Sequence, residues 1–133
     1  MPSLPLNAIT RINSTVRDLF IYLYDLSPLD LDLLFIMIKE ARPLTLEELS
    51  KKADRDKSTV FRSVQKLVSA RICIKETKTK REGGYYHVYT AVDMETFKAE
   101  TETRVKDLQK SLDRLMKKFE ADMQMAISSF YHK

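Results

Sequence analysis

The side chains best suited to bind another molecule lie in one short stretch, residues 56–68. Its apolar residues recur at helical spacing and form a narrow stripe of Val60, Val64, Leu67 and Val68. The opposite side carries cations and hydrogen-bond donors, namely Lys57, Ser58, Thr59, Arg62, Gln65 and Lys66. Asp56 precedes them, where an N-cap residue would accept from the first backbone amides. A basic, donor-rich helix that begins with small hydroxyl side chains is suited to the major groove of DNA.

The sequence contains no recognisable catalytic or metal-binding motif. The single cysteine, Cys73, has no partner for a disulfide or a metal cluster, and we interpret it as a buried strand residue, with a redox sensor as the alternative. His87 and His132 lack partners at metal-ligand spacing. There is no glycine-rich phosphate loop, nucleophile elbow or credible acid and base pair. We therefore expect a protein that is not an enzyme and that needs no cofactor.

Positive charge is concentrated in the middle third of the chain. The formal net charge is +4 over 133 residues, and residues 1–41, 42–92 and 93–133 carry −2, +6 and 0 of it. No signal-like apolar run lies near the N-terminus, and the longest apolar block, residues 29–38, is too short to span a bilayer. We expect a soluble, cytoplasmic protein with no membrane partner and with an anionic partner for its middle third.

The apolar pattern predicts a mainly α-helical α+β fold, a winged helix-turn-helix. After a loose lead-in of residues 1–13, the domain of residues 14–92 should begin with a helix capped by Ser14 and a central core helix over 28–41. A capping box at Thr45 should start a short helix that ends near residue 53. The basic helix of residues 57–70 then follows a tight turn, and a two-stranded hairpin with a basic tip at 78–84 follows it.

The final segment, residues 93–133, predicts one long helix. It contains neither proline nor glycine, and from Val105 onward its apolar residues recur every three or four positions. A continuous helix of this length would be about 55 Å long, and its own domain is too small to cover its apolar seam. A homodimer follows, held by a coiled coil in parallel or antiparallel arrangement through Val105, Leu108, Leu112, Leu115, Phe119 and Met123.

Three motifs together point to a known class of protein. They are Glu47-Glu48-Leu49, the run Asp56-Lys57-Ser58-Thr59-Val60-Phe61-Arg62 with Lys66-Leu67, and the Gly83-Gly84-Tyr85-Tyr86 wing. In these motifs the chain resembles winged-helix transcriptional regulators of the MarR-like and TrmB-like groups, especially small archaeal members that end in a long dimerising helix. The resemblance covers residues 28–92 by motif and the remainder by architecture. It implies a DNA-binding dimer whose recognition helices enter successive major grooves while the wings approach minor grooves or phosphates.

The resemblance also implies which residues face DNA. Lys57, Ser58, Thr59 and Arg62 match the usual DNA-facing positions, and Arg81 matches the basic wing tip. From the residue types, Arg62 could read a guanine, and Phe61 could contact a thymine methyl or pack against the hairpin. Cations should supply affinity that is independent of sequence; the candidates are Lys51, Lys52, Arg55, Lys66, Lys78, Lys80 and Arg81.

Three functions remain open at this stage. The leading one is a sequence-specific, homodimeric transcriptional regulator; the others are an architectural protein that coats DNA and a winged-helix module that binds protein. The chain also departs from the resemblance in one place, because Ala70-Arg71-Ile72 stands where such families commonly have a glycine. If the backbone there is left-handed, Arg71 carries a strain of about 1 kcal/mol relative to glycine. The alternative is that the helix ends differently, which would alter the angle of the wing.

Overall fold

The computed structural model describes residues 15–131, so the predicted lead-in, the Ser14 cap and His132 lie outside the described residues. The chain divides into two compact units, Met1–Glu100 and Thr101–Lys133. Its elements in chain order are α1 (Val16–Tyr24), α2 (Pro28–Glu40), β1 (Leu44–Thr45), α3 (Leu46–Ala53), α4 (Lys57–Ser69), β2 (Cys73–Thr79), β3 (Tyr85–Ala91), α5 (Met94–Lys117) and α6 (Phe119–Tyr131).

Local hydrogen bonds fix where the helices begin. Capping boxes start α1 at Thr15, α2 at Ser27 and α3 at Thr45. In each, the cap hydroxyl accepts a hydrogen bond from the backbone amide of the third helical residue, and the carboxylate of that residue accepts one from the backbone amide of the cap. The predicted starts of α2 and α3 are therefore confirmed, whereas α1 is capped by Thr15, one residue after the predicted Ser14. Asp56 caps α4 as predicted, since its carboxylate accepts from the Thr59 amide at 3.2 Å. These caps satisfy amides that have no partner within the helix.

The core of the first unit lies between α2, α4 and the base of the sheet. Leu31, Leu33 and Leu34 of α2 are fully buried, which confirms the prediction that this is the central core helix. The predicted apolar stripe of α4 is buried against it through Val60, Val64 and Leu67. Burial of apolar surface of this kind is the main force that holds the helices together.

The sheet has three antiparallel strands in the order β1-β3-β2. The hairpin of β2 and β3 is the predicted wing, with Lys78 opposite Tyr86 and Thr79 opposite Tyr85. The two-residue strand β1 pairs Leu44 with Tyr89 and adds a third strand that the sequence interpretation did not include. So short a strand leaves no alternating pattern to detect.

Glycines shape the tip of the wing. Gly83 and Gly84 have φ angles of 92° and 90°, which residues with a Cβ rarely adopt. The Lys80 amide donates to the Gly84 carbonyl at 3.0 Å, and the Gly83 amide donates to the Lys80 carbonyl at 3.1 Å. The predicted role of the glycine pair in the hairpin tip is confirmed.

A Schellman motif ends α4. The Ile72 amide donates to the Leu67 carbonyl at 3.2 Å and the Arg71 amide to the Val68 carbonyl at 3.0 Å. Arg71 has φ 66°, so of the two alternatives the left-handed backbone after α4 is the one present, on a residue that carries a Cβ.

Arg71→Gly is expected to raise the free energy of unfolding by about 0.5–1 kcal/mol. Relief of the left-handed strain is worth about 1 kcal/mol, and the greater freedom of glycine in the unfolded chain offsets part of it. Urea denaturation followed by circular dichroism would measure the change. Arg71→Ala is the control, because alanine keeps the Cβ and should not gain stability; equal stability of the glycine variant and the native protein would contradict the account.

The second unit is helical, with an interruption at one residue. The predicted continuous helix is recorded as α5 and α6 with Lys118 between them, although the Asp122 amide still donates to the Lys118 carbonyl at 2.9 Å. The interruption coincides with a change in apolar spacing, because two successive steps of four residues run from Leu115 through Phe119 to Met123. Such a stutter in a heptad pattern locally alters helix winding in coiled coils.

Among residues 15–131, no helix is both long enough and apolar enough to cross a membrane.

Candidate nucleic-acid interface

The exposed side of α4 is a stripe of polar side chains with one aromatic ring. Its residues follow the spacing i, i+3, i+4, i+7 and i+11, and all are exposed. They are Ser58, Phe61, Arg62, Gln65 and Ser69. The buried face of the same helix packs into the core, so the stripe points away from it. We call this set the α4 stripe.

Gln65 lies in the middle of the α4 stripe but was not among the predicted contact residues. Its position seven residues after Ser58 and three after Arg62 places it on the same face of the helix as both. The amide of glutamine can donate and accept at once, which suits the edge of an adenine. Helical spacing alone could have identified this residue.

The guanidinium of Arg62 is available for an outside partner. The Arg62 Nε lies 3.5 Å from the Ser58 carbonyl oxygen, which is at the limit of a hydrogen bond. Among the ion pairs of the described residues, none involves Arg62. Its planar fork of donors can therefore turn toward a bidentate acceptor.

Thr59 serves mainly as part of the helix cap. Its hydroxyl donates to Asp56 Oδ1 at 2.6 Å, and its amide donates to Oδ2 at 3.2 Å. These two hydrogen bonds hold the pKa of the Asp56 carboxyl below its ordinary value. The hydroxyl proton of Thr59 is thus committed, while its oxygen can still accept a hydrogen bond.

Lys66 is joined to a buried carboxylate. The Lys66 Nζ lies 3.1 Å from Asp30 Oδ2, and the Ser63 hydroxyl donates to Asp30 Oδ1. Asp30 is only 4% exposed and is held by Ser27, whose amide donates to Oδ2 at 2.8 Å. We call Asp30, Ser63 and Lys66 the Asp30 clamp. It borders an open cleft of about 390 Å³ that Thr59 and Arg62 also line.

The Asp30 carboxylate is stabilised in its charged form. Burial acts to raise its pKa, but hydrogen bonds from Ser63, the Ser27 backbone and Lys66 outweigh burial and hold the pKa below the ordinary value. Because the pKa is lowered on folding, the carboxylate stabilises the fold above its unfolded pKa of about 3.9. That stabilisation is lost as pH falls through the folded pKa.

Asp30→Asn is expected to lower the free energy of unfolding at pH 7 by about 2 kcal/mol, less than for a fully buried pair because Lys66 is half-exposed. The difference from the native protein should shrink as pH falls from 7 toward 3, since protonation of Asp30 in the unfolded native chain then favours unfolding. Urea denaturation at both pH values would measure it. Asp32→Asn is the control, since Asp32 is exposed on the same helix and pairs with Arg17 at 3.5 Å; a difference for Asp30→Asn that stays constant with pH would contradict the account.

The wing presents cations and aromatic rings near its tip. Lys80 and Arg81 are exposed, while Lys78 is exposed and pairs with Glu76 at 3.3 Å. Tyr85 and Tyr86 are exposed as well. The wing therefore offers charge at the tip and two phenol groups close to it.

Other predicted cations are already paired with carboxylates in the first unit. Lys52 Nζ lies 2.6 Å from Glu40 Oε1, and Lys51 Nζ lies 4.0 Å from Glu47 Oε1. The hydrogen bond from Lys52 holds the pKa of Glu40 below its ordinary value. Such exposed pairs are weak and a phosphate could compete for the lysines.

Cys73 is a structural residue. It is buried, its thiol lies 3.6 Å from the Met37 sulfur, and burial raises its pKa to about 12. A thiol with so high a pKa is a poor nucleophile at neutral pH, so the interpretation of a buried strand residue is confirmed.

His87 Nδ1 lies 3.1 Å from the Thr77 hydroxyl. Over residues 15–131, no group of three or more His, Cys, Asp or Glu residues is placed to hold a metal ion.

Comparison with known proteins gives a family and a fold. The family described as "Sugar-specific transcriptional regulator TrmB" matches residues 23–95. The uncharacterized protein MJ1503 of Methanocaldococcus jannaschii is 33% identical over 69 residues, which are 52% of each chain. The chain thus spans about half the length of this curated relative.

Two solved structures from archaea share the fold. A "possible transcriptional regulator" from Methanosarcina mazei Go1 superposes with a TM-score of 0.72 and 24% identity, over 83% of this chain and 95% of that one. The ST1889 protein of Sulfolobus tokodaii superposes with a TM-score of 0.59 and 21% identity, over 72% of this chain and 93% of that one. The predicted winged-helix fold is confirmed.

Proposed function

Because the chain belongs to the TrmB family of transcriptional regulators, we propose that it binds double-stranded DNA as a homodimer, with α4 in the major groove and the wing at the minor groove or backbone. The observation that carries this proposal is the α4 stripe, which places donor groups on the free side of a helix anchored by its apolar face. A major groove accommodates one α-helix and displays a different pattern of donors and acceptors for each base pair.

We assign the proposed base contacts to the α4 stripe and to the first turn of α4. Arg62 would donate to O6 and N7 of a guanine, and Gln65 would pair with N6 and N7 of an adenine. Lys57, Ser58 and Thr59 lie at the N-terminal end, where short side chains and backbone amides approach phosphates or base edges. Phe61, which is 38% exposed, would contact a thymine methyl.

We assign the proposed phosphate contacts to the cationic side chains of the wing. Lys78, Lys80 and Arg81 would each neutralise a phosphate and release a counterion, which gives affinity that declines with salt. Lys66 was predicted to join this set, but its ammonium group is paired with the buried carboxylate of Asp30, whereas Lys78 pairs with an exposed glutamate that a phosphate can displace. We therefore leave Lys66 out of the proposed phosphate contacts.

The second unit supports the proposed homodimer. Along the stripe predicted to form the seam, Leu112, Leu115, Phe119 and Met123 are 46%, 55%, 54% and 46% exposed in the single chain. A run of large apolar side chains with this exposure is unfavourable in water and is covered most simply by a second copy. We propose residues 93–133 as the dimerisation segment, with Val105 and Leu108 continuing the seam.

Affinity measured across a salt series tests this function. The protein should bind DNA from upstream of its own gene more tightly than scrambled DNA of equal length, and the ratio should persist as salt rises. Equal affinity for both duplexes at every salt concentration would instead identify an architectural protein. Absence of binding to either duplex would favour the protein-binding module.

Gln65→Ala is expected to relax the preference for one base pair in each half-site. The loss should be about 1–3 kcal/mol of discrimination at that position, because a bidentate contact to adenine is removed. Selection of binding sites from a random pool by the native and variant proteins would measure it. Gln109→Ala, an exposed glutamine of α5, is the control; an unchanged preference in Gln65→Ala would remove Gln65 from the reading set.

A further inference from the structure

The Asp30 clamp connects two helices at a point that the apolar core does not define. Asp30 lies in the first turn of α2, whereas Ser63 and Lys66 lie three residues apart on one side of α4. One carboxylate therefore makes two directional contacts with α4. Apolar packing through Val60 and Val64 is non-directional and would tolerate small rotations of α4 about its axis.

The carboxylate itself is fixed before it contacts α4. Its Oδ2 accepts from the Ser27 amide at 2.8 Å, and the Asp30 amide donates to the Ser27 hydroxyl at 3.1 Å. Asp30 is 4% exposed and Ser63 is 6% exposed, so their contact is shielded from water. A rigid acceptor of this kind can define where the neighbouring helix sits.

The clamp also changes which charges α4 presents to DNA. Lys66 is adjacent to the α4 stripe, and its ammonium group would otherwise be one more sequence-independent phosphate contact. The Asp30 carboxylate at 3.1 Å cancels that charge locally. Arg62, one residue before Ser63 and seven before Ser69, stays available to DNA because no ion pair of the described residues engages it.

We propose that Asp30 is a positioning residue for DNA recognition, which orients the α4 stripe through Ser63 and Lys66 and withholds the charge of Lys66 from the phosphates. The clamp thereby favours recognition by base contacts over binding to any sequence. This inference rests on the proposed DNA binding of α4. It assigns Lys66 an internal role in place of the predicted contact with DNA.

The slope of log affinity against log salt on a random duplex tests the proposal with the full-length protein. In Asp30→Asn, Lys66 is released, so the slope should steepen by about 0.9 for each protomer. Adding Lys66→Met to Asp30→Asn should return the slope to the native value. Lys66→Met alone should leave the slope unchanged. If Asp30→Asn only destabilised the fold and did not release Lys66, the slope would not steepen.

Asp32→Asn is the matched control, because it makes the same change in net charge on the same helix but removes an exposed pair with Arg17. Its slope should equal that of the native protein. Circular dichroism would establish that each variant is folded under the binding conditions. If Asp30→Asn does not fold, Lys66→Met still decides whether Lys66 contacts phosphate, since it keeps the Ser27 and Ser63 hydrogen bonds to Asp30.

Two results would overturn the proposal. A shallower slope for Lys66→Met would identify Lys66 as a direct phosphate contact, and an Asp30→Asn slope equal to that of Asp32→Asn would remove the electrostatic role of Asp30. Failure of the native protein to bind any duplex is distinct from both. It would reject the proposed function, and this inference with it.

Discussion

Replacing Leu112 and Leu115 together by aspartate is expected to convert the proposed dimer into monomers and to weaken binding to DNA with two half-sites by about 1,000-fold. Both side chains lie in the proposed seam and are 46% and 55% exposed in the single chain. Aspartate at a buried seam would place unpaired carboxylates out of water, which costs far more than the seam gains from packing. The loss in affinity follows because two linked half-site contacts bind more tightly than one by about 100- to 10,000-fold.

The measurement combines sedimentation equilibrium with binding to duplexes that carry one or two half-sites. Lys110→Asp is the control, because it makes the same change in net charge on the opposite side of α5. The double variant should bind a single half-site as well as the native protein does. A variant that remains dimeric would show that residues 93–133 do not form the interface.

Truncation offers a second route to a monomer, and the structure determines where it must be made. Phe97 of α5 is buried and its ring centroid lies 5.0 Å from that of Phe20 and 6.4 Å from that of Tyr24. A chain that ends before Met94 would lose this core residue and could unfold for a reason unrelated to dimerisation. A chain that ends at Glu100 keeps Phe97 and matches the first compact unit.

Sequence predicted the helices of the first unit well because their signals are local. A capping box such as that of Thr45 and Glu48 needs only two residues three positions apart. The left-handed backbone at Arg71 was one of two alternatives, raised because similar families commonly have glycine at that point, and the φ angle of 66° selects it. The stripe of α4 follows from helical spacing, although Gln65 was left out of the predicted contacts.

Features that depend on distant residues could not be predicted from the pattern. Asp30 and Ser63 are 33 positions apart, and each looks like an ordinary helix residue in its own segment. Lys66 therefore looked like one more exposed cation until its partner was located. The strand β1 was missed for a related reason, since its two residues gain strand geometry only by pairing with β3.

Arg62→Lys is expected to preserve binding to random DNA and to lower affinity for the preferred site by roughly 1,000-fold. The charge is retained, so the sequence-independent contribution of phosphate contacts is unchanged. The planar fork of the guanidinium is lost, and a lysine ammonium cannot reproduce a bidentate contact of fixed geometry. Taking about 2 kcal/mol for each such contact, two protomers lose about 4 kcal/mol.

Competition between the preferred site and random DNA at several salt concentrations would measure the affinity of Arg62→Lys for each of the two duplexes. Arg17→Lys is the control, because Arg17 is a half-buried arginine of α1, outside α4 and the wing, and pairs with Asp32. If Arg62→Lys lowers both affinities equally, Arg62 acts as a phosphate contact and another residue reads the base. If it changes neither, the exposed side of α4 is not the surface that meets DNA, because the one unpaired guanidinium at its centre would then have no partner in the complex.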